Sequence, residues 1–105
     1  MDPLVLLEKV KANLILTHSE DDSLLEGFIT AAVAYAESYQ KKAENYYQEN
    51  PMHPTTEQAV LMLSSHFYES RDGSTGGFFG DSVEASKQVW NVVNWLLRLE
   101  RDVVL

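Results

Sequence analysis

The stretch from Thr55 to Arg71 constrains the fold most, because it carries the clearest helical pattern in the chain and ends at a cluster of glycines. Thr55 and Gln58 have the spacing of a capping box, in which two side chains satisfy backbone donors at the start of a helix. Gly73 and the glycines that follow it up to Gly80 then end the helix. The expected core-facing residues recur every three or four positions, the spacing that lines one helical face: Ala59, Met62, Leu63, His66 and Phe67.

Three further helices are predicted around this stretch: Pro3 to about Asn13, about Asp21 to Glu44 or beyond, and about Ser82 to Arg101. Leu14–Leu16 is expected to form a short apolar bridge against the core. Since no strand pattern and no repeat is present, the sequence predicts an all-α fold. We expect a compact bundle of about four helices in a single domain, residues 1–105, with a glycine-rich loop between helices three and four. The expected buried residues are Leu7, Val10 and Leu14 in the first helix, and Leu25, Phe28, Ile29, Ala32, Ala36, Tyr39 and Ala43 in the second.

The composition argues against several classes of protein. Hydrophobic residues make up 45% of the chain, too many for a disordered protein and too scattered for a membrane span. Cysteine is absent, which excludes disulfides and thiolate chemistry. A formal charge of −8 without a basic stripe argues against autonomous DNA binding. The N-terminus lacks the features of a signal peptide, so we expect a protein that stays in the cytoplasm where it is made, with no membrane partner.

No group of polar residues has the pattern of an enzyme site. His18 with Asp21 and Asp22 does not complete a metal ligand set, and acids at a helix start account for the two aspartates. The glycine-rich loop lacks the Lys followed by Ser or Thr that holds a nucleotide. We interpret His66, on an apolar helical face, as a core histidine hydrogen-bonded to backbone or to a tyrosine hydroxyl. The sequence therefore predicts no catalytic residue, no metal site and no cofactor.

Four large aromatic residues form the candidate site. Phe78 and Phe79 lie in the glycine-rich loop, where the chain's own helices cannot easily bury them. Trp90 and Trp95 belong to the fourth predicted helix, whose apolar residues fall on more than one face and leave a surplus of apolar surface. We therefore predict that these four residues contribute to an assembly interface. The alternative is that the fourth helix is a central core helix surrounded by the other three.

Three stretches cover about the first two-thirds of the chain: Val10–Leu14 followed by His18, the acidic turn and Leu24-Leu25; the alanine-rich Ile29–Tyr39; and Gln58–Leu63 running into His66-Phe67-Tyr68-Glu69-Ser70-Arg71. Together they resemble the head-tail connector family of tailed bacteriophages and prophages, and the third is similar to the family's His-aromatic-Tyr-Glu-x-Arg signature. The last third differs, because family members often have a short segment with a Pro-Tyr-Arg type ending, whereas this chain has Ser82–Ala85 followed by a longer helix with two tryptophans.

The resemblance implies an adaptor without catalytic activity, located in the virion at the head-tail junction. Copies would form a closed ring, typically dodecameric, between the portal protein and a stopper or tail-completion protein. DNA would pass through the lumen of the ring during packaging and ejection without sequence-specific binding. The composition also allows a different class of protein, a small acidic helical regulatory or interaction protein that binds a basic partner.

Overall fold

The computed structural model describes residues 3–70 and 79–101, with the side chains of residues 4–70 and 86–101. No strand occurs in these ranges, and the predicted all-α bundle is confirmed. Arg71 and most of the predicted glycine-rich loop, residues 71–78, lie outside the described residues. The helices are α1 (Pro3–Leu14), α2 (Asp22–Tyr39), α3 (Tyr46–Glu49), α4 (Pro54–Ser70) and α5 (Phe79–Arg98).

The central helix of the bundle is α4, which packs against α1, α2 and α5. Because neighbours surround it, α4 buries Val60, Ser64 and Tyr68 as well as the predicted Ala59 and Leu63. Small buried side chains on a helix let its neighbours approach closely. The apolar core comprises Leu6, Leu7 and Val10 of α1; Leu25, Ile29, Ala32, Val33 and Ala36 of α2; Tyr47 of α3; Ala59, Val60, Leu63 and Tyr68 of α4; and Val93 and Leu97 of α5.

The first helix ends in a Schellman motif, in which a residue in the left-handed conformation closes the helix. Ile15 has φ 58°, and the N–H of Leu16 donates to the carbonyl oxygen of Lys11 at 2.9 Å. A β-branched residue rarely adopts this backbone conformation, since its side chain crowds the backbone. Leu14 and Leu16 pack against the core, but Ile15 is 86% exposed. The predicted apolar bridge is therefore wrong at Ile15.

The second helix ends at Tyr39, short of the predicted Glu44. Residues 40–44 are Gln-Lys-Lys-Ala-Glu, and their high helix propensity favoured continuation. Instead Lys41 takes a left-handed φ of 64°, and the N–H of Lys42 donates to the carbonyl oxygen of Glu37 at 2.9 Å. This is the same closure that ends α1. The chain then turns back toward the core, so Ala43 is exposed instead of buried.

The turn between α2 and α3 is held by the Glu37 carboxylate. That side chain is only 6% exposed, and it accepts the backbone N–H groups of Tyr47 at 3.0 Å and Asn45 at 3.3 Å. A buried acceptor that satisfies two backbone donors stabilises a turn, because those donors would otherwise lose their hydrogen bonds. Tertiary contacts thus override the local preference for a longer α2.

Gln40 joins four helices at one end of the bundle. Its side chain is fully buried, and its amide nitrogen donates to Thr56 Oγ1 at 2.8 Å and to the carbonyl oxygen of Leu97 at 3.0 Å. The amide oxygen of Gln40 accepts the hydroxyl hydrogen of Tyr47. Buried polar groups that are fully hydrogen-bonded in this way fix the relative positions of the elements that carry them.

The fourth helix begins at Pro54, whose fixed φ suits a first helical turn. Thr55 therefore lies within the first turn, and the prediction that Thr55 and Gln58 form a capping box is wrong. His53 precedes the helix, with its Nδ1 at 3.1 Å from Thr55 Oγ1. The last helix, α5, begins at Phe79 and ends at Arg98, so it starts and ends earlier than the predicted Ser82 to Arg101.

Candidate functional site

The fifth helix has two different faces. Val93 and Leu97 are at most 1% exposed and pack into the core. Val92, which is 40% exposed, and Trp95, which is 64% exposed, point away from the core. Leu99, the residue directly after the helix end, is 59% exposed. These three residues, at positions i, i+3 and i+7, form a continuous apolar row that we call the α5 stripe. The expectation of surplus apolar surface on this helix agrees with its geometry, and α4 instead of α5 takes the central position in the bundle.

The two tryptophans of α5 lie in different surroundings. Trp90 is half-buried in an aromatic cluster: its ring lies 5.1 Å from that of Tyr35, 6.1 Å from Phe67 and 6.4 Å from His66, centroid to centroid. Such edge-to-face and tilted contacts stabilise the folded chain. Packing within the fold explains why Trp90 is half-buried. The Trp95 ring lies outside this cluster and is 64% exposed. Their contribution to assembly stays a prediction for both.

The structure describes only part of the Phe78-Phe79 pair of the candidate site. Phe78 lies outside the described residues, and Phe79 is the first residue of α5, with only its backbone described. Sequence reasoning placed Phe79 in a loop, because the adjacent glycines disfavour a helix. The structure corrects that placement. A role for either ring in an interface stays a prediction.

His66 lies at the junction of α4 and α5. It was predicted to be a core histidine bonded to backbone or to a tyrosine hydroxyl, but it is half-buried, and its Nε2 lies 3.2 Å from Ser86 Oγ. Close by, the hydroxyl of Tyr35 donates to Asn94 Oδ1 at 2.5 Å. Burial raises the pKa of the Tyr35 hydroxyl, with a further rise from Tyr39 and an opposing effect of the Asn94 hydrogen bond. These polar pairs align α5 with α2 and α4.

The acidic turn before α2 makes structural contacts. The carboxylate of Asp21 accepts the hydroxyl hydrogen of Tyr68, and Lys11 Nζ lies 2.8 Å from Asp22 Oδ1. The ring of His18 accepts the N–H of Glu20 at 3.3 Å. Among the described side chains, those of residues 4–70 and 86–101, no three of His, Asp or Glu come together as a metal site would require. Of the helices described, none combines the length and hydropathy needed to cross a bilayer.

A groove of about 450 Å³ lies on the side of α2 next to α3. We call it the α2–α3 groove, and sequence reasoning did not find it. Its floor is apolar, and its carboxylates are those of Glu26 and Glu37. The signal in the sequence was a second row of small and β-branched residues on α2, beside the predicted core-facing row. The groove is lined by Glu26, Ile29, Thr30, Val33, Ala34 and Glu37 of α2 and by residues of the 45–48 segment.

Comparisons with known proteins place the chain. Comparison with curated proteins and with solved structures gives no match. A family profile described as Phage gp6-like head-tail connector protein matches residues 5–89. The match runs from α1 into α5, further than the stretches on which the sequence resemblance depended, and it ends before Trp90. Because it covers most of the chain and agrees with that resemblance, the chain belongs to the phage gp6-like head-tail connector family.

Proposed function

We propose that this protein is a non-catalytic adaptor whose copies form a closed ring at the head-tail junction of a tailed phage. Its family gives the general role, a structural component of the phage particle. The observation that most supports ring formation is the α5 stripe. Exposure of three large apolar side chains in one row to water is unfavourable in free energy, and burial against another copy removes that exposure. A contact between two different surfaces of identical copies closes into a ring when the rotation between them fits.

On this proposal the ring binds the portal protein on one side and a stopper or tail-completion protein on the other. DNA passes through the lumen during packaging and ejection without sequence-specific binding. The charge supports this arrangement, since a formal charge of −8 disfavours tight binding of the phosphate backbone. A channel wall that does not hold DNA lets the genome move. The same charge makes free copies repel one another, so assembly should strengthen with salt or on a portal template.

The proposal is tested by the mass of the protein in solution. Sedimentation is measured over a wide range of protein concentration, at low and high salt, with and without purified portal protein. A discrete large species that grows with concentration, with salt or on the portal supports a ring. A monomer or dimer under every condition refutes ring formation and favours the acidic regulatory protein that binds a basic partner.

The same assay separates the two tryptophans. Trp95→Ala should leave the free energy of unfolding within about 0.5 kcal/mol of wild type, since it is an exposed surface position, while reducing the large species. Trp90→Ala should lower that free energy by roughly 3 kcal/mol through loss of the aromatic cluster. If Trp95→Ala assembles like wild type, the α5 stripe is not the interface.

A further inference from the structure

We propose that the α5 stripe of one copy binds in the α2–α3 groove of the next copy. The inference deepens the proposed ring function, on which it rests, by naming both halves of the contact. The stripe supplies an exposed apolar row that includes Trp95, and the groove supplies a hollow over Ile29 and Val33 with the Glu26 carboxylate beside it. The contact is heterologous: each copy binds one neighbour through its stripe and the other neighbour through its groove.

The two surfaces lie on different sides of one copy. On α2, the groove residues Glu26, Thr30, Val33 and Glu37 share one helical face by their spacing. Tyr35 lies on the opposite face of α2 and contacts α5 of the same copy. A stripe therefore cannot reach the groove of its own chain. Two surfaces so separated, each able to bind its counterpart, generate a ring or a filament and not a closed dimer.

The groove has room for a large apolar side chain. The groove encloses about 450 Å³ over a floor formed by Ile29 and Val33, side chains that are already part of the core. A rigid floor of this kind is suited to receive a large side chain without rearrangement. Exposed tryptophans that insert into preformed pockets are the side chains that most often dominate binding energy. Trp95, 64% exposed, is the largest side chain of the stripe.

Charge favours the same pairing. The groove carries the exposed carboxylate of Glu26, whereas that of Glu37 is buried and accepts the backbone N–H groups of Asn45 and Tyr47. No Lys or Arg in the described part of the chain lines the groove. Two exposed arginines lie beside the stripe, Arg98 directly before Leu99 and Arg101 two residues after it. Arg101 also lies over the ring of Tyr39 in its own copy, at 5.3 Å. Two copies with a formal charge of −8 repel each other in most relative orientations. An orientation that places an arginine of one copy beside a carboxylate of the other is therefore favoured.

The absence of cysteine allows a direct test by site-specific cross-linking. Ala34→Cys labels the groove, and Asn91→Cys labels the helix surface one turn before Trp95; both positions are exposed. The two full-length variants are mixed at assembling concentration, with portal protein where needed, and treated with a short bis-maleimide. We expect mixed Ala34→Cys and Asn91→Cys dimers to exceed either like pair. Ala31→Cys, exposed on α2 but outside the groove, is the matched control and should link weakly.

A second measurement blocks the groove. Ala34→Trp fills the hollow and should weaken self-association at least about tenfold, as loss of an interface hot spot does, whereas Ala31→Trp should not. Arg98→Glu and Glu26→Arg should each weaken assembly, and a mixture or double variant that exchanges the charges should recover it. Circular dichroism is used to check that every variant is folded.

The outcomes separate this inference from the proposed function. Rings that form while Ala34→Trp assembles like wild type, or cross-links dominated by Asn91→Cys like pairs, overturn the named contact and leave the connector role intact. The absence of any large species, alone or on portal protein, overturns both.

Discussion

Replacement of the strained Ile15 by glycine should make the protein more stable, although it removes a large apolar side chain. Ile15 closes α1 with φ 58°, a conformation that costs an L-residue about 1–2 kcal/mol. Glycine adopts it without that cost and is the usual residue at this position of a Schellman motif. Since the Ile15 side chain is 86% exposed, little buried surface is lost.

The net gain follows from two opposing effects. Relief of the backbone strain contributes about 1–2 kcal/mol, and the greater freedom of glycine in the unfolded chain subtracts about 0.5–1 kcal/mol. We therefore expect Ile15→Gly to raise the free energy of unfolding by roughly 0.5–1 kcal/mol. For a domain of this size, that corresponds to an increase in Tm of about 2–8 °C.

The assay is urea and thermal unfolding followed by far-ultraviolet circular dichroism, at a low protein concentration so that self-association does not contribute. Lys41→Gly is the matched control, because Lys41 occupies the same position in the closure of α2 with φ 64° but is not β-branched. Its gain should be smaller. A loss of stability in Ile15→Gly, or a larger gain in Lys41→Gly, would refute the strain argument.

Three further predictions concern the core. Gln40→Leu should lower the free energy of unfolding, measured in urea, by about 3 kcal/mol, because the hydrogen bonds from Gln40 to three other helices are lost. The control is Gln58→Leu, at an exposed glutamine on α4, which should change that free energy by no more than about 0.5 kcal/mol. Leu25→Ala should cost about 2–5 kcal/mol, since the side chain is fully buried, whereas its neighbour Leu24→Ala, 41% exposed, should cost far less; equal losses would contradict the helix register. Burial raises the pKa of Tyr47 above its ordinary value of 10.0. The contribution of that hydroxyl to stability is therefore complete below pH 10 and is lost as the pH rises through the folded-state pKa; unfolding measured from pH 8 to 12 should show a smaller alkaline decline in Tyr47→Phe.

The helical faces were the part of the fold that the sequence predicted best. Leu7, Val10, Leu25 and Ile29 recur at helical spacing, and all four are buried. Hydrophobic periodicity reports such faces because each helix must cover its apolar row. The four long helices follow from the same pattern.

The helix ends were harder to predict, because long-range contacts determine them. The end of α2 depends on Glu37, which accepts N–H groups from residues after the turn. Local propensity carries no information about these partners. Tyr47 is 3% exposed although its side chain has a polar hydroxyl, because that hydroxyl has a buried partner in Gln40.

The surroundings of the candidate interface residues could not be predicted in full, since composition does not say which side of a helix its neighbours occupy. Trp90 and Trp95 look alike in the sequence, yet one belongs to an aromatic cluster and the other to the exposed stripe. The α2–α3 groove exists only because α3 turns back beside α2. A surface formed by two helices can be identified only when the packing of those helices is known.

The central position of α4 also sets the order of events during synthesis. Residues of α1 that contact α4 precede their partners by about half the chain: Asn13 and Ser65, whose side chains lie 2.8 Å apart, are separated by 52 positions. A chain that leaves the ribosome from its N-terminus therefore exposes the apolar faces of α1 and α2 until α4 has emerged. The bundle cannot close before that point, and a nascent chain stopped before residue 54 should bind chaperones as an unfinished fold.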